Sequence, residues 1–249
     1  MPKLFNLISQ VNIDSECEKI QIKEKTDSIL KKYLNNKCCN FKHCISFLKK
    51  YQTHANNNGG NIFEIHILLG KNNEYIDCSI NRKQGGELTE KMLKYIDKYN
   101  SHLIHNHPSN GSLSTSDWNV LVNHLTLQMT AVNDFGSYFT GSVTQKMNHS
   151  TQRDFTSTLQ TLQEIIKEST LESGVFACSN LKNGIYCDIN AYINNMNIWL
   201  NHKLGLVLSN AKISNYTYKL SISDNVNKDI TNNLDKTHFQ KTLCLIQNW

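Results

Sequence analysis

The chain has 249 residues, enough for one large domain or two small ones and for a sizeable core. Lys and Arg number 26 against 21 Asp and Glu, a net charge of +5; the lysines are scattered, so an acidic partner is permitted and no nucleic-acid stripe is indicated. No apolar run approaches the roughly 18 residues of a membrane span, and Met1-Pro2-Lys3-Leu4-Phe5-Asn6 lacks the apolar core of a signal peptide, so a cytoplasmic protein without membrane contact is expected, non-classical secretion staying compatible.

From Ser15 to about Tyr51 the chain is charged and helical in period. Ile20, Ile22, Ile29, Leu30, Tyr33 and Leu34 mark one side, and Phe41, Ile45, Leu48 and Tyr51 another, which predicts two helices broken around Asn35-Asn36-Lys37. Within this stretch Cys38, Cys39 and Cys44 with His43 resemble half of a zinc knuckle, but no second Cys-x-x-Cys lies nearby. The eight cysteines form no compact disulfide framework, so free thiols are expected. Gln52 to Gly60 reads as a loop by composition, which places a soft boundary near residue 55.

Asn61 to Gly70 is a β-prone apolar run, and Glu74 to Ile80 alternates as its hairpin partner. Leu88 to Tyr99 is helical, with Met92, Leu93 and Ile96 inside. Ser101 to Asn106 reads as a buried strand that Pro108 stops, because proline cannot donate to a ladder. Ser109 to Ser112 is a turn, and a helix restarts from Ser114, running to about residue 127. Met129–Val132 and Ser137–Thr140 are two further short strands. These elements predict an α/β (α+β) fold, a mixed β-sheet flanked by helices.

Side chains two apart on a strand share a face, so His105 and His107 aim both imidazoles at one point and turn Asn106 away. Asp117 follows in the first turn of the next helix. Two imidazoles and a carboxylate make a three-ligand Zn2+ site with the fourth tetrahedral position left for water, the catalytic rather than the structural arrangement. The same Ser114-x-x-Asp117 is also a capping box, which needs Asp117 only for the helix N-terminus.

His105-x-His107-Pro108 with Ser114-x-x-Asp117 resembles the signature of the JAMM (MPN-type, JAB domain) zinc metallopeptidase family. That family also carries a glutamate upstream, in a segment of the form Glu-x-x-Gly-Leu-Leu-Gly. Here the segment is Glu64-Ile65-His66-Ile67-Leu68-Leu69-Gly70, with Ile67 where the family usually has glycine. The gap from His107 to Asp117 is one residue shorter than in the eukaryotic deubiquitinases and is similar to the His-Asn-His-Pro variants of bacterial and phage members. The resemblance spans Glu64 to Asp117, and in general shape residues 55–150. It implies Zn2+ held by His105, His107 and Asp117, Glu64 as general base and then acid, and Ser114 as donor to the oxyanion, with Ser116 and Ser112 as fallback donors. The chemistry of the strand agrees: an ionised carboxylate inside an apolar run costs several kcal/mol unless a cation, hydrogen bonds or a metal-bound water compensates it. Glu74, Glu87 and Glu90 are rivals in turn-side or helix-start positions.

Beyond Met147 the resemblance ends. Residues 154–168 and 188–204 read as helices, 174–178 and 214–222 as strand-like, and the chain closes in a helix-like 239–246. The organisation expected is a helical N-terminal extension over 1–55, a JAMM-like catalytic domain over 56–150 and a mixed C-terminal extension over 151–249. The function the residues and the resemblance point to is a Zn2+-dependent hydrolase of amide or isopeptide bonds acting on a protein or peptide, ubiquitin-like conjugates included. A DNA-repair- or phage-associated member of unproven activity and a non-catalytic scaffold of the same fold stay open. A zinc nucleobase deaminase does not, since Pro-Cys-x-x-Cys is absent.

Overall fold

The structure is a computed structural model that describes residues 2–10, 16–34, 40–58, 62–81, 87–107, 113–132, 138–143, 157 and 218–222. The turn at Ser109–Ser112, Cys38 and Cys39, and the elements expected within 154–204 and 239–246 lie outside the described residues. The chain divides into two compact units, Met1–Pro108 with Thr126–Tyr138, and Ser109–Leu125 with Phe139–Trp249.

The first unit begins with three helices: α1 (Pro2–Gln10), α2 (Glu16–Leu34) and α3 (Asn40–Asn57). α2 and α3 are the two expected helices, and Asn35-Asn36-Lys37 between them lie outside the described residues; α1 is an addition to the expected elements. Ile22, Thr26, Leu30 and Leu34 are buried at four-residue spacing, one stripe of α2, whereas Ile20 is exposed. α3 continues to Asn57, into the stretch expected to be a loop, because Gln52 and Ala55 lie on the same buried face as Phe47, Leu48 and Tyr51. The tertiary contacts of that face outweigh the turn-prone Asn56-Asn57 at its end. A boundary near residue 55 therefore falls inside a helix.

Four strands follow this helical layer: β1 (Glu64–Gly70), β2 (Tyr75–Asn81), β3 (Ser101–Asn106) and β4 (Leu127–Val132), with α4 (Glu90–Ile96) between β2 and β3. β1 is antiparallel to β2 on one side and to β3 on the other, and β3 is parallel to β4. This mixed sheet with helices is the α/β architecture expected from the sequence. The hairpin turn places Asn73 at φ 61°, a left-handed position that asparagine tolerates. α4 is shorter than the predicted helix: Thr89 caps its start, its side chain accepting from the Met92 amide, and it ends at Ile96.

One face of the sheet shares a core with the three N-terminal helices. Phe63, Ile65, Ile67 and Leu69 of the β1 segment join Ile104, Val132, Phe5, Ile8, Leu30, Phe47, Leu48 and Tyr51 in one apolar cluster. Phe5 meets the Phe47 ring edge-on at 5.5 Å, which ties α1 to α3. Because strand side chains alternate, Glu64, His66 and Leu68 point to the opposite face. Helices α1, α2 and α3 thus cover this face of the sheet and leave its chemical side clear of this core.

His102 lies on the helix side of β3, stacked on Phe41 at 4.9 Å with Nε2 2.7 Å from Thr130 Oγ1. Burial pushes its pKa down to about 4 from 6.5. The unfolded chain then binds the proton that the folded chain refuses, so stability is full above about pH 6.5 and declines as the pH falls towards 4. The ceiling of that loss is about 3 kcal/mol. Urea unfolding of wild type and His102→Gln between pH 7 and pH 4 is expected to show a shallower acid decline in the variant; parallel curves would assign the decline to other groups.

In the second unit, α5 (Thr115–Asn123) and β5 (Tyr138–Val143) are adjacent through Gly141, where an added Cβ would run into the Leu113 side chain and the Trp118 ring. α5 ends four residues before the predicted limit, with His124 as its C-cap. β5 pairs antiparallel with β6 (Tyr218–Ile222), Phe139 opposite Ile222 and Val143 opposite Tyr218. β6 is the described part of the strand-like piece expected over 214–222.

Candidate metal centre

The antiparallel register of β1 and β3 sets His66 opposite His105. Glu64 is two residues from His66 on β1, so the three side chains share a face. All three are buried, His105 completely. Glu64 Oε1 lies 3.6 Å from His66 Nε2 and 3.7 Å from His105 Nε2, and the two imidazoles are stacked with centroids 5.0 Å apart. The carboxylate expected in an apolar strand is therefore there, flanked by two imidazole rings. The rivals have other occupations: Glu74 accepts from Tyr95 Oη at 2.9 Å and from the Asn72 amide at 2.8 Å, and Glu90 is an exposed partner of Lys94.

His107 follows on the same side, its ring 4.7 Å from that of His105. It lies one residue past β3, yet its backbone is fixed at both ends. Its N–H donates to the Val132 carbonyl at 2.9 Å, and its own carbonyl accepts from Gln52 Nε2 at 2.9 Å. Gln52 is a buried residue of α3, so the N-terminal helices hold this histidine in place.

Asn106, between the histidines, points away from them as alternation requires, and its amide grips β1. Oδ1 accepts from the Ile65 N–H at 2.8 Å, and Nδ2 donates to the Phe63 carbonyl at 3.0 Å. The Phe63 N–H in turn donates to Tyr51 Oη at 2.9 Å. Both peptide groups next to Glu64 are thus tied, which fixes where its Cβ points. Asn106→Leu, similar in volume but without partners for a buried N–H and C=O, is expected to cost about 2–4 kcal/mol. Urea unfolding with an unchanged slope measures it; a loss under about 0.5 kcal/mol would mean that the grip is dispensable.

Ser114 and Asp117 form the capping box foreseen from their spacing. Asp117 Oδ2 accepts from the Ser114 N–H at 2.6 Å and from Ser114 Oγ at 2.7 Å, while the Asp117 N–H donates to Ser114 Oγ at 3.2 Å. The box locks the carboxylate in one orientation and occupies Oδ2 with two donors. The single hydroxyl hydrogen of Ser114 is directed at Asp117, so donating it elsewhere requires the hydroxyl to turn. Ser116 is exposed on α5, and Ser112 lies outside the described residues.

Among the described residues of the first unit, Glu64, His66 and His105 form a buried group that could hold a metal ion, and the His107 ring lies beside that of His105; Asp117 belongs to the second unit. Imidazole nitrogen with carboxylate oxygen is a donor set that suits Zn2+ and other first-row divalent ions. His66 is the member that the reading of the sequence missed. Its signal was present: Glu64-x-His66 has the same two-residue spacing as His105-x-His107. Of the cysteines, Cys44 and Cys78 are buried and free, and burial pushes the Cys44 thiol up to about 12, so neither offers a thiolate.

Among the described residues no helix is long and apolar enough to cross a membrane. No protein-family model, curated protein or solved structure matches the chain.

Proposed function

We propose that the chain is a Zn2+-dependent hydrolase of amide or isopeptide bonds of the JAMM type. In this reading His105, His107 and Asp117 hold the ion, Glu64 moves the proton, and Ser114 supplies a hydrogen bond to the oxyanion. The observation that carries the reading is the buried Glu64 carboxylate, 3.7 Å from Nε2 of a histidine that itself belongs to a metal-competent group. A structural metal site needs no such carboxylate beside it, whereas hydrolysis does.

An ion bound there supplies Lewis acidity, polarising the scissile carbonyl and lowering the pKa of a bound water towards ~7. Glu64 takes the proton of the attacking water and passes it to the amine nitrogen as the C–N bond breaks, which leaves a carboxylic acid and a free amine. The ties of Asn106 and Tyr51 to the backbone around Glu64 hold that carboxylate ready, so little reorganisation is needed at the moment of transfer. Ser114 Oγ, now directed at Asp117, turns to the oxyanion as charge develops; a donor of this kind is worth ~100-fold or more in rate. Protein conjugates carrying a ubiquitin-like modifier on a lysine are the first substrate class to try, unmodified peptides the second.

The experiment is cleavage of such a conjugate and of a peptide library by the full chain, before and after chelation, and after Zn2+ is returned. Activity lost on chelation and restored by Zn2+ is the expected result. A protein that takes up Zn2+ and cleaves neither class is instead a non-catalytic scaffold, and activity indifferent to chelation would defeat the reading.

A further inference from the structure

The hydrogen bonding of Asn81 decides what His66 does. The Asn81 Nδ2 atom lies 3.3 Å from the Glu87 carbonyl, which can only accept, so the amide group is oriented with its NH2 on that side. The same nitrogen is 3.2 Å from His66 Nδ1 and 3.2 Å from Ser79 Oγ. The amide nitrogen has two hydrogens for these three neighbours and cannot itself accept, so His66 Nδ1 carries no hydrogen towards it. A neutral imidazole carries one hydrogen, which then belongs on Nε2. That nitrogen is the one 3.6 Å from Glu64 Oε1.

We propose that His66 is a positioning residue for Glu64: Asn81 holds the ring as the Nε2–H tautomer, with this N–H directed at the Glu64 carboxylate and bonding it when substrate is bound. The inference rests on the reading of Glu64 as the proton-transfer group. It also bears on whether His66 is a metal ligand. A metal needs a lone pair on each ligating nitrogen, and the hydrogen on His66 Nε2 occupies the one that faces Glu64. A ligating histidine turns its remaining N–H towards an acceptor, and Asn81 presents a donor instead. In the proposed site, with His105, His107 and Asp117 as ligands, His66 is therefore not a ligand and is kept off the ion by its neighbour. At 3.6 Å the contact is slightly longer than a formed hydrogen bond; catalytic hydrogen bonds commonly tighten when substrate is bound. The arrangement repeats the logic of a catalytic histidine held in one tautomer by a third group, here with the carboxylate as the working residue.

The test combines the ring's nitrogen NMR signals with variant kinetics on the full chain. The His66 signals are expected to show hydrogen on Nε2 and a bare Nδ1, unchanged when Zn2+ is added. His66→Leu is expected to keep one equivalent of Zn2+ and wild-type KM while kcat falls ~10–100-fold. His66→Gln, which restores an N–H donor at similar reach, is expected to recover most of that loss. Asn81→Asp, which accepts instead of donating, should move the hydrogen to Nδ1 and lower kcat as His66→Leu does. Hydrogen on Nδ1 in the wild type, a Zn2+-dependent change at Nε2, or loss of zinc in His66→Leu would overturn the proposal and make His66 a ligand. If the wild type cleaves no substrate, the hydrolase reading falls, while the tautomer and the zinc count still decide whether His66 is donor or ligand.

Discussion

Glu64→Gln is expected to bind zinc as the wild type does and to lose hydrolysis by ~10²–10⁴-fold, the span over which a positioned base accelerates proton transfer. The substitution is close to isosteric and leaves the surrounding backbone ties in place, since Asn106 and Tyr51 bond to the main chain of Phe63 and Ile65 and not to the Glu64 side chain. What it removes is the ability to accept a proton. Because Glu64 is buried, no exposed carboxylate can stand in for it, and the nearest rival by sequence, Glu74, is engaged with Tyr95 and the Asn72 amide. Comparing kcat at saturating substrate, with zinc measured on the same samples, separates loss of the base from loss of the metal. Retained activity in Glu64→Gln would remove the proposed mechanism and leave the metal centre without one.

His107→Ala is the complementary case, in which zinc and activity are expected to disappear together. Removing a neighbour of a ligand typically weakens metal binding 10–100-fold, so removing one of three ligands should exceed ~100-fold. The loss has a second readout. A ligand that binds only the folded state adds about 4 kcal/mol of stability at a thousandfold excess over its dissociation constant. Added Zn2+ should therefore raise the unfolding temperature of the wild type and leave that of His107→Ala unmoved. The backbone bonds of His107 to Val132 and Gln52 do not involve its side chain, so the metal-free variant should stay folded. A zinc-dependent rise of equal size in both proteins would place the ion elsewhere.

The parts of this site that were legible in the sequence are those that depend on near neighbours. Ser101–Asn106 shows as a strand because its apolar run is closed by a proline, and alternation alone turns His105 and His107 to one side. Ser114-x-x-Asp117 announces a helix start because a capping box is a contact across three residues. The β1–β2 hairpin follows from two β-prone runs joined by a short polar turn. The parts that could not be read are contacts between distant positions. Gln52 reaches the His107 carbonyl across 55 residues, and Asn106 reaches Ile65 across 41. Nothing local distinguishes Gln52 from the polar residues after it, so composition alone assigns the last turns of α3, from Gln52 on, to a loop. His66 is intermediate: its shared face with Glu64 is local, but the Asn81 amide that sets its tautomer arrives through the β1–β2 pairing.

X-ray absorption at the zinc edge of the zinc-loaded full chain tests the central claim most directly. The account predicts one equivalent of zinc with two imidazole nitrogens at ~2.0–2.1 Å, the remaining ligands being oxygen. Sulfur in the coordination sphere, a third imidazole, or no tightly held zinc would contradict it.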